Sequence, residues 1–329
     1  TGKTHTLIEL IIQMLKRQQR ILVCGPSNIS VDNIVERLAP HKVPIVRLGH
    51  PARLLPSVIS SSLEVLTQYS DAAGIVKDIR KEMDYKQASL RKAKSGKERK
   101  QIFADLKDLR KEFTQREKKV VKTLLGGCKV VLATLHGSGS FNMKGEVFDV
   151  VIIDEASQAL EAQCWVPLLS AKKMVLAGDH LQLPPTIKSL KSKIKLKPED
   201  THGVIKGITL ETTLFSRLLE LHGPKIKRML IVQYRMHEKI MRFPSDELYE
   251  SKLIADEAVK DRILATLPYR IEKTEDTTEP LIFFDTQGDN FPEKNEEESI
   301  EKKLGKGIMG ESKSNDMEVA LVKFHVENL

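Results

Sequence analysis

Three cysteines, Cys24, Cys128 and Cys164, are all that 329 residues contain. They lie far apart, in or beside apolar runs, without the spacing of a zinc site or a disulfide framework. Reduced, buried thiols are therefore expected, in the nucleus or the cytoplasm. No apolar run is long enough to cross a bilayer, so no membrane is expected among the partners. An initiator Met is also missing: the chain opens Thr1-Gly2-Lys3-Thr4, reads as a fragment, and leaves room for a targeting signal upstream. Excess charge is modest. A formal net charge of +8 and a pI near 9.2 permit a polyanionic partner without requiring one. With 40% hydrophobic and 30% charged residues, the chain reads as globular and long enough for two domains.

The most informative stretch is Phe148-Asp149-Val150-Val151-Ile152-Ile153-Asp154-Glu155-Ala156-Ser157-Gln158. Four consecutive β-branched residues predict a strand buried on both faces. Two carboxylates at its carboxyl end need a metal ion or bound water to offset their desolvation. Ligands of open α/β sheets bind just beyond such strand ends. Asp154 would then hold Mg²⁺, and Glu155 would orient or deprotonate a water. The plainer reading is an acidic helix start favoured by the helix dipole.

Gly2-Lys3-Thr4 matches the second half of a phosphate-binding loop, G-x-x-x-x-G-K-[ST]. In that loop the Lys reaches phosphate oxygens and the hydroxyl ligates Mg²⁺. Leu7, Ile8, Ile11, Ile12 and Leu15 follow at helical spacing, as the helix after such a loop requires. Strands are predicted at 21–24, 45–48, 129–134 and 174–177, the last buried and running into Gly178-Asp179-His180-Leu181-Gln182. There Gln182 could donate to a γ-phosphate or orient water. Ser27 and Asn28 follow the first of these strands and either grip a nucleic-acid phosphate or cap a helix. Residues 57–125 alternate charges around helically spaced apolar positions, which predicts an inserted antiparallel helical hairpin.

Residues 222–329 read as the start of a second domain, with strands at 228–233 and 281–285 and a last helix near Val319–Val326. Within it Tyr234 offers a stacking face and Arg235 a phosphate fork. Residues 188–200 read as a basic loop, and 288–316 as a disordered one.

In order, Gly2-Lys3-Thr4, Pro26-Ser27-Asn28, Asp154-Glu155-Ala156-Ser157-Gln158, Gly178-Asp179-His180-Leu181-Gln182 and Gln233-Tyr234-Arg235-Met236-His237 resemble the motifs of superfamily 1B helicases. The branch is that of the nonsense-mediated-decay helicases. Leu48 to Leu55 and Cys164 to Leu169 resemble the subgroup of immunoglobulin mu-binding proteins and polymerase-alpha-associated helicases. The resemblance implies an α/β fold: a RecA-like P-loop NTPase domain over 1–221 carrying the hairpin, then part of a second RecA-like domain.

It also implies an ATP- and Mg²⁺-dependent motor moving 5′ to 3′ on single-stranded DNA, or RNA, and unwinding duplexes. Gly2, Lys3 and Thr4 would bind nucleotide and Mg²⁺, Asp154 the metal, and Glu155 the attacking water. Gln182 would sense the γ-phosphate, Tyr234 stack on adenine, and Arg235 act as an arginine finger. Ser27, Asn28 and Thr134 would lie along the nucleic acid. A monomer with replication or RNA-processing partners is implied. The strand feeding the phosphate loop is expected before Thr1, centrally between the strands ending at Cys24 and Asp154 or their neighbours, so the fragment alone is expected to be inactive. The alternatives are an RNA helicase, a nucleotide-dependent remodelling module that does not unwind, and, last, a metal-only hydrolase.

Overall fold

The computed structural model describes residues 2–70, 73–92, 95–187, 209–269, 271–287, 291–295 and 313–328. The expected basic loop at 188–200 lies outside the described residues. Two compact units result, one spanning Lys3–Met229 and the other running from Leu230.

The first unit is built on five parallel strands in the order β2-β3-β1-β4-β5. They are β1 Ile21–Gly25, β2 Ile45–Leu48, β3 Val130–Thr134, β4 Phe148–Ile153 and β5 Ala171–Leu176. Alternate residues feed two cores, because successive side chains of a strand point to opposite faces. On one face Ile21, Val23, Val130, Leu132, Val150 and Ile152 pack against α1 (Lys3–Lys16) and α2 (Asn28–Leu38). On the other, Leu22, Cys24, Val131, Val151 and Ile153 pack with Leu125, Cys164 and Leu214. These three come from α5 (Gly96–Gly127), α6 (Glu161–Leu168) and α7 (Leu214–His222). Helices on both faces of a parallel sheet are the α/β doubly wound arrangement, as the buried runs predict.

Two expectations about this sheet are corrected. β1 and β4 pair directly, Ile21 opposite Val150 through Cys24 opposite Ile153, which rules out a strand between the ends at Cys24 and Asp154 and leaves only the alternative of a place beside their neighbours. And β5, expected to be buried, carries exposed Lys172, Lys173 and Met174. It is the outermost of the five described strands.

The inserted hairpin is present. Ser62 caps α3 (Leu63–Tyr69), and α4 (Ala73–Lys92) and α5 run antiparallel, joined by Lys86–Asp105 (2.6 Å). Ser95 caps α5. Ile102, Leu106, Met83 and Leu90 form a small apolar cluster of their own, whereas Leu125 belongs to the sheet core. Arg20 anchors the base, its guanidinium donating to the carbonyls of Leu125 and Val147 and lying 4.5 Å over the Phe148 ring.

In the second unit the expected strand at 228–233 shortens to β6 (Val232–Gln233), parallel to β7 (Ile254–Ala255), followed by α8 (Glu238–Leu248). The strand expected at 281–285 is absent: no ladder forms there, and Leu281 and Phe283 are exposed. Beyond α9 (Glu275–Thr278), the ends of the segment expected to be disordered pair as β8 (Lys294–Asn295) and β9 (Lys313–Ser314). The rest of that segment lies outside the described residues. The last helix, α10 (Asp316–Glu327), leaves Val319, Val322 and Val326 exposed.

Candidate functional site

The carboxyl ends of β1, β3, β4 and β5 converge, and backbone hydrogen bonds lock them. Asp154 N–H donates to the Cys24 carbonyl (2.8 Å), Ala156 N–H to Ala177 (2.8 Å), and Leu135 N–H to Gly25 (2.9 Å). Gly178 is required by this closeness: a Cβ there would lie 2.9 Å from the Ser157 nitrogen, and backbone cannot give way. Ser157 Oγ in turn accepts from Asp179 N–H (3.0 Å).

At the mouth of this cluster Lys3 Nζ reaches Glu155 Oε1 at 3.1 Å. Residues separated by most of the domain in sequence thus meet, the Lys from the first turn of α1 and the Glu just past β4. Glu155 takes φ 51°, the left-handed region. A non-glycine residue held there costs on the order of 1–3 kcal/mol. The turn separates the two acids: Asp154 is buried while Glu155 remains half-exposed. Asp154 Oδ1 accepts from the Glu155 N–H (3.0 Å).

Burial and the neighbouring Glu155 carboxylate hold the Asp154 carboxyl above its ordinary range, opposed by the backbone hydrogen bond and by Lys3. A cation beside Asp154 would reverse that penalty. Among the described residues no cluster of three or more His, Cys, Asp or Glu could hold a metal. A single buried carboxylate would suit an ion held otherwise by a hydroxyl and substrate phosphates, the usual habit of Mg²⁺. Thr4, beside Lys3 at the start of α1, would be the hydroxyl of such a set, and Gly2 (φ 69°) precedes them in the left-handed region.

The other predicted residues divide. Gln182 donates through Nε2 to Asp179 Oδ2 (2.7 Å), so its amide is turned onto the loop after β5. Ser27 caps α2, its Oγ accepting from Ser30 N–H (3.1 Å). Gly25 allows that approach, since a Cβ would lie 2.3 Å from Ser30 Oγ. Of the sequence alternatives, capping therefore describes Ser27, while Asn28 has a different set of partners. Thr134 Oγ1 accepts from Gly137 N–H (3.1 Å) and shapes the loop after β3.

In the second unit Tyr234 and Arg235 are both exposed. Gln233 displays them: buried, it accepts from the N–H groups of Arg235 (2.8 Å) and Met236 (2.7 Å) and donates to the Met236 carbonyl (2.6 Å). Sequence reasoning quoted Gln233 but gave it no role. Its signal was an amide at the inward position of a short strand. The thiols match their expectation in part. Cys24 and Cys164 are buried and Cys128 half-buried; burial pushes the Cys164 thiol up to about 11 and the Cys24 thiol further still.

Comparison with known proteins agrees with this geometry. The model of an AAA domain matches residues 1–190, which holds the whole sheet and both acids, and a second AAA-domain model matches 210–329. The chain belongs to the superfamily 1B helicases. Its helicase relatives include DNA polymerase alpha-associated DNA helicase A of Schizosaccharomyces pombe, 44% identical across 100% of this chain and 46% of that protein. DNA-binding protein SMUBP-2 of Rattus norvegicus is 42% identical over 100% of this chain and 31% of its own length. Regulator of nonsense transcripts 1 of Dictyostelium discoideum is 29% identical over 88% and 20%. The chain thus spans about half or less of the curated relatives it matches.

The raised Asp154 pKa has a consequence for stability. Between the unfolded and folded pKa values the native state binds the extra proton, so stability falls as pH rises through that window. Asp154→Asn removes the ionisation. In chelator-treated protein this variant should melt above the wild type at pH 7, and the difference should close as pH falls below the ordinary carboxylate range. Thermal unfolding across pH checks this; a variant less stable than wild type at pH 7 would contradict it.

Proposed function

We propose that this chain supplies the ATP site and part of the nucleic-acid path of a helicase that hydrolyses ATP to move 5′ to 3′ on single-stranded DNA and separate duplexes. The observation that carries the reading is the Lys3–Glu155 contact beside a buried Asp154. It joins a phosphate-seeking ammonium, a base and a metal-seeking carboxylate at one strand end.

Lys3 moves from Glu155 to the β/γ oxygens when nucleotide binds, which frees the Glu155 carboxylate. Glu155 then orients the attacking water and takes its proton, ordinary general-base work. Asp154 and Thr4 would hold Mg²⁺, which would supply charge neutralisation at the phosphates. Gln182 turns from Asp179 toward the γ-phosphate, Tyr234 stacks on the adenine, and Arg235 places its fork on developing phosphate charge. Reduced thiols fit a nuclear or cytoplasmic protein, and replication or RNA-processing proteins are the partners proposed. RNA is the second substrate reading, favoured by the likeness to a regulator of nonsense transcripts.

The test uses the intact protein, with ATPase and strand-displacement assays on duplexes carrying a 5′ or a 3′ single-stranded tail. Stimulated hydrolysis with displacement only from the 5′ tail is expected. Hydrolysis without displacement would favour a remodelling module, and RNA-only stimulation an RNA helicase. Affinity should also fall with salt, with a log–log slope of roughly −0.7 per neutralised phosphate on single strands, and hardly vary with base sequence. Salt-insensitive, sequence-selective binding would contradict backbone contact.

A further inference from the structure

A charged residue sits where the sequence predicts only strand. Arg47, within the run Ile45–Leu48, is fully buried, and so is its partner Asp32 on α2. Each of the three Arg47 guanidinium nitrogens has a partner. Nε donates to Asp32 Oδ1 (2.7 Å), one terminal nitrogen to the Leu48 carbonyl, and the other to Asn28 Oδ1 (2.9 Å). The second Asp32 oxygen accepts from Leu55 N–H (3.0 Å). The residue after β2's end is constrained too, since a Cβ on Gly49 would lie 3.2 Å from an Arg47 terminal nitrogen. The Arg47 backbone also bridges to that of buried Ser62, the cap of α3. One ion pair therefore joins the start of α2, the end of β2 and the connection into the hairpin.

The arrangement fixes which way Asn28 faces. A guanidinium has five donors and no acceptor, so the amide end turned to Arg47 must be the oxygen. The NH₂ end then points away. Among the described residues Nδ2 donates to no protein acceptor, and no buried side-chain polar atom there lacks a partner, so its hydrogens are open to solvent. An outward group that can only donate complements an oxygen that can only accept, and the backbone phosphate supplies that oxygen at every step of a strand.

We infer that Arg47, held by Asp32, is a positioning residue that locks the Asn28 amide donor-outward onto a backbone phosphate of single-stranded nucleic acid. This rests on the nucleic-acid reading above. It deepens that reading by making the grip sequence-independent and by tying it rigidly to the connection into the hairpin.

The experiment uses the intact protein, single-stranded DNA as probe, and ATPase activation as readout. Asn28→Asp keeps an acceptor for Arg47 but presents an oxygen outward. It should keep its melting temperature, while the half-activating DNA concentration rises about tenfold or more, the worth of one hydrogen bond to a charged oxygen. Arg47→Lys keeps the charge facing Asp32 but cannot also hold Asn28. Its half-activating concentration should rise severalfold while the maximal stimulated rate stays near that of the wild type. Wild-type DNA activation in Asn28→Asp would overturn the inference, as would a folded Arg47→Lys with unchanged DNA dependence. If Arg47→Lys does not fold, Asn28→Asp decides alone. A wild-type protein that binds no single strand at low salt sinks the underlying reading instead, and the inference falls with it.

Discussion

Glu155→Gln in the intact protein should bind ATP and hardly turn it over. The substitution keeps size and a hydrogen-bonding end but removes the only function that takes a proton, and positioned general bases contribute about 10²- to 10⁴-fold. Nucleotide affinity should change little, because the Lys3–Glu155 pair is a partly exposed contact (24% and 29% side-chain exposure) and such pairs are worth at most about 1 kcal/mol. Any change should favour binding, since Lys3 no longer has to leave a carboxylate to reach phosphate. Single-turnover hydrolysis alongside equilibrium binding of a nucleotide analogue separates the two quantities. A variant with ATPase near wild type would remove Glu155 from the chemistry; one that fails to bind nucleotide would mean that its charge organises Lys3 instead.

Arg47→Leu should be strongly destabilising. It strands the Asp32 carboxylate in the core with only the Leu55 N–H for company. Removing one member of a buried ion pair typically costs about 3–5 kcal/mol, against a stability of about 5–15 kcal/mol for a whole domain. The double variant Arg47→Leu/Asp32→Leu should recover much of the loss, because a buried pair replaced by apolar side chains is often neutral or better. Chemical denaturation of the two variants and the wild type tests both statements. A single variant within about 1 kcal/mol of wild type would show that water reaches Asp32; a double variant no better than the single would show that the pair holds the fold through shape rather than charge.

The sheet was legible because β-branched runs such as Val150–Ile153 have no other economical place than a buried parallel strand. The acids at its end, the Lys at the start of α1 and the capping serine were legible for the same kind of local reason. Where the sequence misled, neighbours decided. Met174–Ala177 reads as buried, yet Met174 is exposed on the outermost of the five described strands. The run Leu281–Asp285 has strand composition but no strand beside it. Adjacency between β1 and β4 depends on pairing order, which no local pattern encodes. Arg47 shows the reverse case: one charge inside a four-residue apolar strand signalled a buried partner, but only three dimensions identify that partner as Asp32 and bring Asn28 to the same guanidinium.

The hairpin between β2 and β3 also bears on how the chain reaches this structure. β2 and β3 are neighbours, Ile45 beside Val130, yet everything from Leu48 to Val130 must be looped out before they can pair. Closing a longer loop costs only about 0.6 kcal/mol per doubling of its length. Contacts within α4 and α5 are local, and local contacts form early, while non-local parallel pairing is slow. The hairpin with its private cluster of Ile102, Leu106, Met83 and Leu90 can therefore assemble first and draw the two strands together, leaving β2–β3 registration as the slow step. Because that cluster stands apart from the sheet core, insertions or deletions in the outer part of the hairpin should change refolding rates little and leave equilibrium stability of the sheet almost untouched, which makes this the segment where the chain can lengthen most cheaply over evolutionary time.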